Sequence, residues 1–372
     1  MNTLIIDKKD LAHNIQKIKE HAATNSPDDN GNPVTIIAVI KANAYGLDME
    51  QYTQFLIDNG ITFFAVSTIE EALKFRKLGF TQKLLMLSST AVKEDVRQLV
   101  EKNIIITIGS KEAAKTAEEL AIEMNQTIKA HIKIDTGFGR YGFAYDRREE
   151  IVETLKNMEH VKIEGTYTHF SNAFYDDKYT KLQFKRYIDC IEVLKMNDIQ
   201  TGMLHVCNSS AFIKFPEMHI NAVRVGSAFL GRLSFQNNIG LKRIAKLQSN
   251  VTEIKELPKG ANIGYSNAYK TKKNTQIAVI PCGYIEGINL QLGRDAFRPI
   301  DKLRYIVRDV KDAFKKQKLW VEIGGKNCEI LGRIGTFHVI ADITGKDINI
   351  GDKAIFQVNP TLVDSGVKRE YQ

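Results

Sequence analysis

Residues 63–87 read FFAVSTIEEALKFRKLGFTQKLLML, and this stretch decides the fold. Phe63–Val66 and Lys83–Leu87 are short apolar runs without strict alternation, as strands buried on both faces are. Between them, Ile69–Leu78 carries helical spacing. Strand, helix and strand in so short a span form a βαβ unit, whose two strands run parallel.

The same texture extends in both directions. Thr35–Lys41 precedes the unit, and Ile104–Ile108, Ala130–Ile134, Ile163–His169, Met203–Cys207 and Asn221–Gly226 follow, eight runs in all. Helix-like stretches such as Lys111–Met124 and Lys178–Met196 separate most of them, and the connection after Cys207 is the least clear. Eight strands with helical crossovers predict an α/β fold of the (β/α)8 barrel type. An open doubly wound sheet is the runner-up, because a strand count does not prove closure. After about residue 238 the texture changes. Leu247–Leu257, Thr275–Pro281, Leu319–Ile323, Glu329–Ile334 and Ala354–Val358 read as strands joined by Gly, Lys and Asn turns. One helical stretch, Lys302–Lys315, interrupts them. The expected division is a barrel over 1–238 and a mainly-β domain over 239–372, with the first residues free to pair with the second domain.

A chain of 372 residues holds two ordinary domains. With 43% hydrophobic and 26% charged residues it has a soluble globular balance. The early charges exclude a signal-peptide core, and no apolar run approaches the ~20 residues that span a bilayer. The net charge of +8 is spread through mixed-sign segments, which argues against nucleic acid and for a bias toward small anions. Cys190, Cys207, Cys282 and Cys328 lack metal-ligand spacing, so no metal is expected and reduced thiols point to the cytoplasm.

Functional residues of a barrel lie just past the C-terminal ends of its strands. Lys41 ends the first strand in Ala-Val-Ile-Lys41-Ala-Asn-Ala-Tyr45-Gly46. A lysine closing an apolar run can form a Schiff base with a carbonyl cofactor, or it can snorkel to solvent. In His131-Ile-Lys133-Ile-Asp135-Thr-Gly137-Phe-Gly139-Arg140 the glycines form a tight loop presenting Arg140, a bidentate partner for a carboxylate or an ordinary surface arginine. His169 ends the sixth strand, where a structural histidine is the commoner case. Asn208-Ser209-Ser210 and Gly226-Ser227 follow the last two strands, where barrels hold phosphate, though turn chemistry also explains them. Arg224 inside an apolar strand needs an acceptor.

In order along nearly the whole chain, these segments resemble the alanine racemase family. Ala38–Gly46 resembles its cofactor-lysine motif, and His131–Gly142 resembles its K-x-D-T-G-x-G-R-x-G segment. Thr168-His169-Phe170, Asn208-Ser209, Val223–Gly226, Tyr265 and Gly283–Gly287 follow at suitable intervals. The resemblance implies pyridoxal 5′-phosphate (PLP) bound by Lys41, in a homodimer with shared active sites. It implies phosphate contacts from Tyr45, Ser209, Gly226 and Ser227, with Asn208 beside them and Arg224 facing the pyridine nitrogen. Arg140, Tyr284 and Thr336 would border the substrate, Lys133 would be carbamylated, and His169 would orient Tyr265. The implied reaction is racemisation of alanine by two bases, Lys41 for the D-enantiomer and Tyr265 for the L-enantiomer, as in D-alanine biosynthesis.

Some positions depart from the family pattern. Gly335-Thr336-Phe337-His338 stands where S-M-D-Q is usual, and Phe174 stands where an acid commonly follows T-H-F-x-x-A. Ser266-Asn267-Ala268 follows Tyr265 in place of G-R-T. Ser365 falls where a phosphate-contacting tyrosine is expected. These changes keep open a racemase preferring serine or another amino acid, and a non-catalytic PLP-binding sensor. A barrel-type PLP decarboxylase is disfavoured by Arg224 and Tyr265. A PLP homeostasis protein is disfavoured by the second domain.

Overall fold

The computed structural model describes residues 2–24, 34–236, 238–290, 299–314 and 318–372. The chain divides into two compact units. One is Lys8–Ile244, and the other joins Met1–Asp7 to Ala245–Gln372.

The first unit is a closed parallel barrel. Its strands are β1 (Thr35–Val39), β2 (Phe63–Val66), β3 (Lys83–Ser89), β4 (Ile105–Ile108), β5 (Ile128–Asp135), β6 (Val161–Tyr167), β7 (Met203–His205) and β8 (Ala222–Val225). Each pairs with its neighbour in sequence, and β8 returns to β1 with Val223 opposite Ile36. Closure decides for the barrel over the open sheet. Ile37, Phe63, Ala65, Leu85, Ile105 and Ala222 form one buried cluster, which explains why these strands read as continuous apolar runs. The helix Ile69–Lys77 between β2 and β3 starts in a capping box. Thr68 Oγ1 accepts from Glu71 N–H at 3.2 Å, and Glu71 Oε2 accepts from Thr68 N–H at 3.3 Å.

The barrel unit runs past residue 238 to Ile244. Asn14, on the helix Lys8–Thr24, donates to Lys242 O at 2.7 Å and accepts from Lys242 N–H at 2.8 Å. Leu241 and Ile244 are buried.

The second unit is built on a nine-stranded sheet. Thr3–Ile6 lies within it, antiparallel to Ala245–Asn250 and parallel to Lys368–Tyr371. The single strand expected over Leu247–Leu257 is two strands, Ala245–Asn250 and Glu253–Leu257. The chain changes partners there: Val251 N–H donates to Asp352 O, and Thr252 N–H donates to Val279 O. The strand expected over Glu329–Ile334 starts and ends earlier, at Lys326–Ile330. It forms a hairpin with Trp320–Ile323 across Gly324 and Gly325, both at positive φ. The sequence reading marked no strand at Val339–Asp342 or Lys368–Tyr371. The helix expected over Lys302–Lys315 runs Pro299–Phe314, and Lys315 lies outside the described residues. Among the described residues no helix is long and apolar enough to cross a membrane, and no cluster of metal-ligating side chains occurs.

Candidate active site

A cavity of about 330 Å³ opens at the C-terminal ends of the barrel strands. It brings together Lys41, Tyr45, Lys133, Arg140, His169, Asn208, Ser209, Arg224, Gly226 and Ser227, ten of the residues singled out from the sequence. Four of these are cationic types, and among the described residues no Asp or Glu lines the cavity. A roomier hollow, about 940 Å³, lies between the outer helices Ile69–Lys77 and Lys93–Glu101. Its lining comes from helix flanks and not from strand ends, so it lacks the convergent groups of the barrel mouth.

Lys41 follows β1 at the head of an unusual turn. Ile40 N–H still donates to Ala65 O at 2.9 Å. Ala42, Asn43, Ala44 and Tyr45 then take φ of 53°, 50°, 56° and 56°, and Gly46 closes the turn at 82°. Four consecutive left-handed residues with side chains cost roughly 1–2 kcal/mol each, so the surroundings must hold them there. Burial pulls the Lys41 ammonium below its usual range, Arg140 adds to this, and Glu71 opposes it.

The turn delivers Tyr45 to Gly226. A Cβ at position 226 would stand 2.2 Å from the Tyr45 hydroxyl, so only glycine fits. Burial raises the Tyr45 phenol to about 12, leaving it a proton donor at neutral pH. Beside it, Asn208 caps the helix Ser209–Lys214 by accepting from Ser210 N–H and Ala211 N–H at 3.1 and 3.0 Å. Ser209 Oγ accepts from Gly226 N–H at 3.0 Å.

Arg224 is 3% exposed and held by four contacts. Nη1 donates to His205 O at 2.8 Å and to His205 Nδ1 at 2.7 Å. Nη2 donates to Thr168 O at 2.6 Å and to Val206 O at 3.0 Å. Among the described residues no acceptor meets Arg224 Nε and no carboxylate bonds the guanidinium. Because guanidinium only donates, His205 Nδ1 is the acceptor and Nε2 carries the hydrogen. That hydrogen is donated to His131 Nδ1 at 2.8 Å. Burial, with Arg224 next, holds both imidazoles neutral, His131 at about 3 and His205 well below the usual range. Tyr167 stacks on His205 with centroids 4.8 Å apart and planes at 7°.

Arg140 rides on a loop folded around one carboxylate. Asp135 accepts from Gly137, Phe138 and Gly139 N–H at 2.9, 2.8 and 2.9 Å. Gly137, Gly139 and Gly142 supply the positive φ this requires. The guanidinium lies 4.5 Å over the Phe138 ring. Lys133, 5% exposed, has its ammonium 5.3 and 5.4 Å from the Tyr167 and Tyr141 ring centroids. Burial first, then Arg140 and Arg224, pull it down to about 7 against the pull of Asp135. His169 packs edge-on to Phe138 at 5.3 Å. Burial and the surrounding cations hold it neutral.

The remaining three candidates, Tyr265, Tyr284 and Thr336, belong to the β unit. Tyr265 is 72% exposed, after Gly264 at φ 75°. Thr336 Oγ1 donates to the Tyr284 hydroxyl at 2.9 Å, and Tyr284 N–H donates to Gly335 O. Phe337 and Phe174, two of the departures from the family pattern, are both exposed. Sequence reasoning assigned no role to Tyr167, His205, His131 or Glu71. Of the first three only His205 stands in an otherwise apolar strand, whereas Tyr167 and His131 share theirs with other polar residues.

Residues 6–233 match the family described as "Alanine racemase, N-terminal domain", and residues 244–364 match "Alanine racemase, C-terminal domain". An alanine racemase of Clostridium tetani is 34% identical over 94% of this chain and 84% of its own length. One from Methanococcus maripaludis is 30% identical over 93% of this chain and 86% of its own. A solved alanine racemase of Clostridium difficile 630 superposes with a TM-score of 0.83 at 26% identity, covering 100% of this chain and 95% of that one. Barrel, strand-end cavity and appended β unit define the class, a barrel-type isomerase. The chain belongs to the alanine racemase family.

Proposed function

We propose that the chain interconverts L- and D-alanine with pyridoxal 5′-phosphate held at Lys41. The observation that carries this is the barrel-mouth cavity, lined by Lys41, Lys133, Arg140 and Arg224 with no acid among the described lining residues. Such a lining suits a phosphate and a carboxylate together. The residues fit the cofactor. Gly226, where a Cβ would meet Tyr45, leaves a cradle beside Ser209 for a phosphate. Arg224 Nε is the donor left over for a ring nitrogen.

When bound, the cofactor supplies an electron sink that acidifies the α-proton of an attached amino acid. The chain supplies everything else. Tyr45, Ser209, Gly226 and Ser227 hold the phosphate, with Asn208 fixing the helix start beneath it. Arg224 cannot give up its proton, so a ring nitrogen facing it stays an acceptor. Arg140 faces the substrate carboxylate. Lys41, its ammonium destabilised by burial and Arg140, removes or returns a proton at one face of the substrate Cα. Tyr265 serves the opposite face, beside Tyr284 and Thr336. We assign these three to a partner copy in a homodimer, since exposed tyrosines on a separate unit are free to complete a second cavity. His169, neutral among cations, orients Tyr265. Lys133, pulled down to about 7 by burial and the neighbouring arginines, has its neutral amine within reach near neutral pH, which is the nucleophile a carbon dioxide molecule needs. The carbamate formed, with loss of a proton, would turn repulsion by Arg140 into attraction. Four free, buried cysteines support work in the cytoplasm.

A second reading keeps the mechanism and changes the substrate. Thr336 and exposed Phe337 replace residues that border the substrate in the family, which favours serine or a larger side chain. Exchange of α-protons in heavy water, with chiral analysis of alanine, serine and larger amino acids, tests both. Inversion of alanine fastest supports the first reading, and faster inversion of another amino acid supports the second. No exchange with any of them overturns both and leaves a PLP-binding sensor.

A further inference from the structure

We propose that Glu71 is a positioning residue for Lys41, bridging the helix Ile69–Lys77 to the left-handed turn that presents the lysine to the cavity. The inference rests on the reading of Lys41 as the cofactor lysine.

Glu71 sits in the first turn of its helix, where a capping glutamate ordinarily needs one oxygen. That oxygen, Oε2, accepts from Ser67 and Thr68 N–H at 3.0 and 3.3 Å. The other oxygen is left over, and it reaches out of the helix to accept from Ala42 N–H. Ala42 is the first left-handed residue and the immediate neighbour of Lys41. Lys41 is thereby clamped on both sides: Ile40 N–H is tied to β2 through Ala65 O, and Ala42 N–H is tied to Glu71. One turn further along the same helix, Lys74 Nζ donates to Asn43 Oδ1 at 3.0 Å, and Asn43 Oδ1 also accepts from Met49 N–H at 3.1 Å. The turn from Ala42 to Tyr45 has no glycine to relax it until Gly46, so its shape depends on such outside contacts. Ser67, whose N–H the same carboxylate holds, lines the cavity. Glu71 therefore couples the end of β2 to the lysine at the end of β1.

The test titrates full-length protein with pyridoxal 5′-phosphate, reduces it with borohydride and reads labelled Lys41 by peptide mass spectrometry. Visible absorbance gives the same occupancy without activity. Thr68→Ala removes the side-chain half of the capping box made by Thr68 Oγ1 but leaves the contact to Ala42. It is expected to lower the melting temperature and to leave Lys41 labelling as in the unaltered chain. Glu71→Ala removes the carboxylate's contacts to Ser67, Thr68 and Ala42 and keeps the Thr68 side-chain cap, and about a tenfold or larger rise in half-saturating cofactor is expected, a difference of about 1.4 kcal/mol. Glu71→Gln keeps an acceptor for only one of the two sides and should fall between. It also serves if Glu71→Ala does not fold. Equal labelling of Lys41 in the Glu71 and Thr68 variants overturns the positioning role. Labelling of another lysine in unaltered protein overturns the cofactor assignment itself, a distinct failure.

Discussion

Arg224 Nη1 and His205 Nδ1 stand 2.7 Å apart, and the arginine fixes which nitrogen of the histidine carries hydrogen. Everything behind the guanidinium follows from that contact. His205 must donate onward to His131, and neither ring has room for a second proton. The guanidinium thus keeps its charge with no acid beside it among the described residues.

This chain sets a pH dependence of stability. In the folded protein His131 stays neutral down to about 3. Unfolded histidine takes a proton near about 6.5. Below about 6.5 the unfolded state binds more protons, so stability is fully present above that pH and is lost as pH falls toward about 3. The urea midpoint is expected to drop between about pH 7.5 and about pH 5, and to drop less in His131→Asn. Equal slopes for the two proteins would exclude a neutral His131.

Replacing Gly226 by alanine puts a methyl group 2.2 Å from the Tyr45 hydroxyl. Overpacking of this kind costs about 1–3 kcal/mol, which at the phosphate cradle is about tenfold or more in cofactor affinity. Titration of Gly226→Ala with pyridoxal 5′-phosphate measures it. Unchanged affinity would move the phosphate elsewhere in the cavity.

Lys41→Ala should lose the visible Schiff-base absorbance altogether. Tyr265→Ala should keep that absorbance and lose about 10²–10⁴-fold in racemisation, the usual contribution of a positioned base. Chiral chromatography and a visible spectrum of each variant suffice. Full racemisation by Tyr265→Ala removes it as a base.

Lys133, pulled down to about 7, gains its reactive neutral form as pH rises through that value. Carbamate should accordingly accumulate on the alkaline side. Isotopically labelled bicarbonate and carbon NMR are expected to show one protein-bound carbamate that grows with pH and is missing in Lys133→Ala. A spectrum with no such signal at any pH leaves Lys133 as a plain amine.

Much of this was legible in the residues. Apolar runs with helical stretches between them announce parallel strands, because a strand covered on both faces has no polar side to show. Placement at strand ends singled out Lys41, Arg140, His169, Ser209 and Gly226 before any contact was known. The left-handed turn after Lys41 was not legible: Ala42, Asn43, Ala44 and Tyr45 ordinarily favour other conformations, and no glycine marks the turn until Gly46. Nor did any local pattern tie Glu71 to Ala42, 29 residues away, or Arg224 to Thr168, 56 residues away. The sequence by itself determined the order of the barrel strands and the strand ends where chemistry belongs, since these depend on periodicity and neighbouring residues, and it read the strands of the second unit only in part. Only the tertiary structure decided the Glu71 bridge and the Arg224–His205–His131 chain. The bonds of the arginine–histidine chain join buried residues brought together when the strands close into a ring, and the Glu71 bridge joins the turn after β1 to the helix after β2, which only the docking of that helix brings within reach.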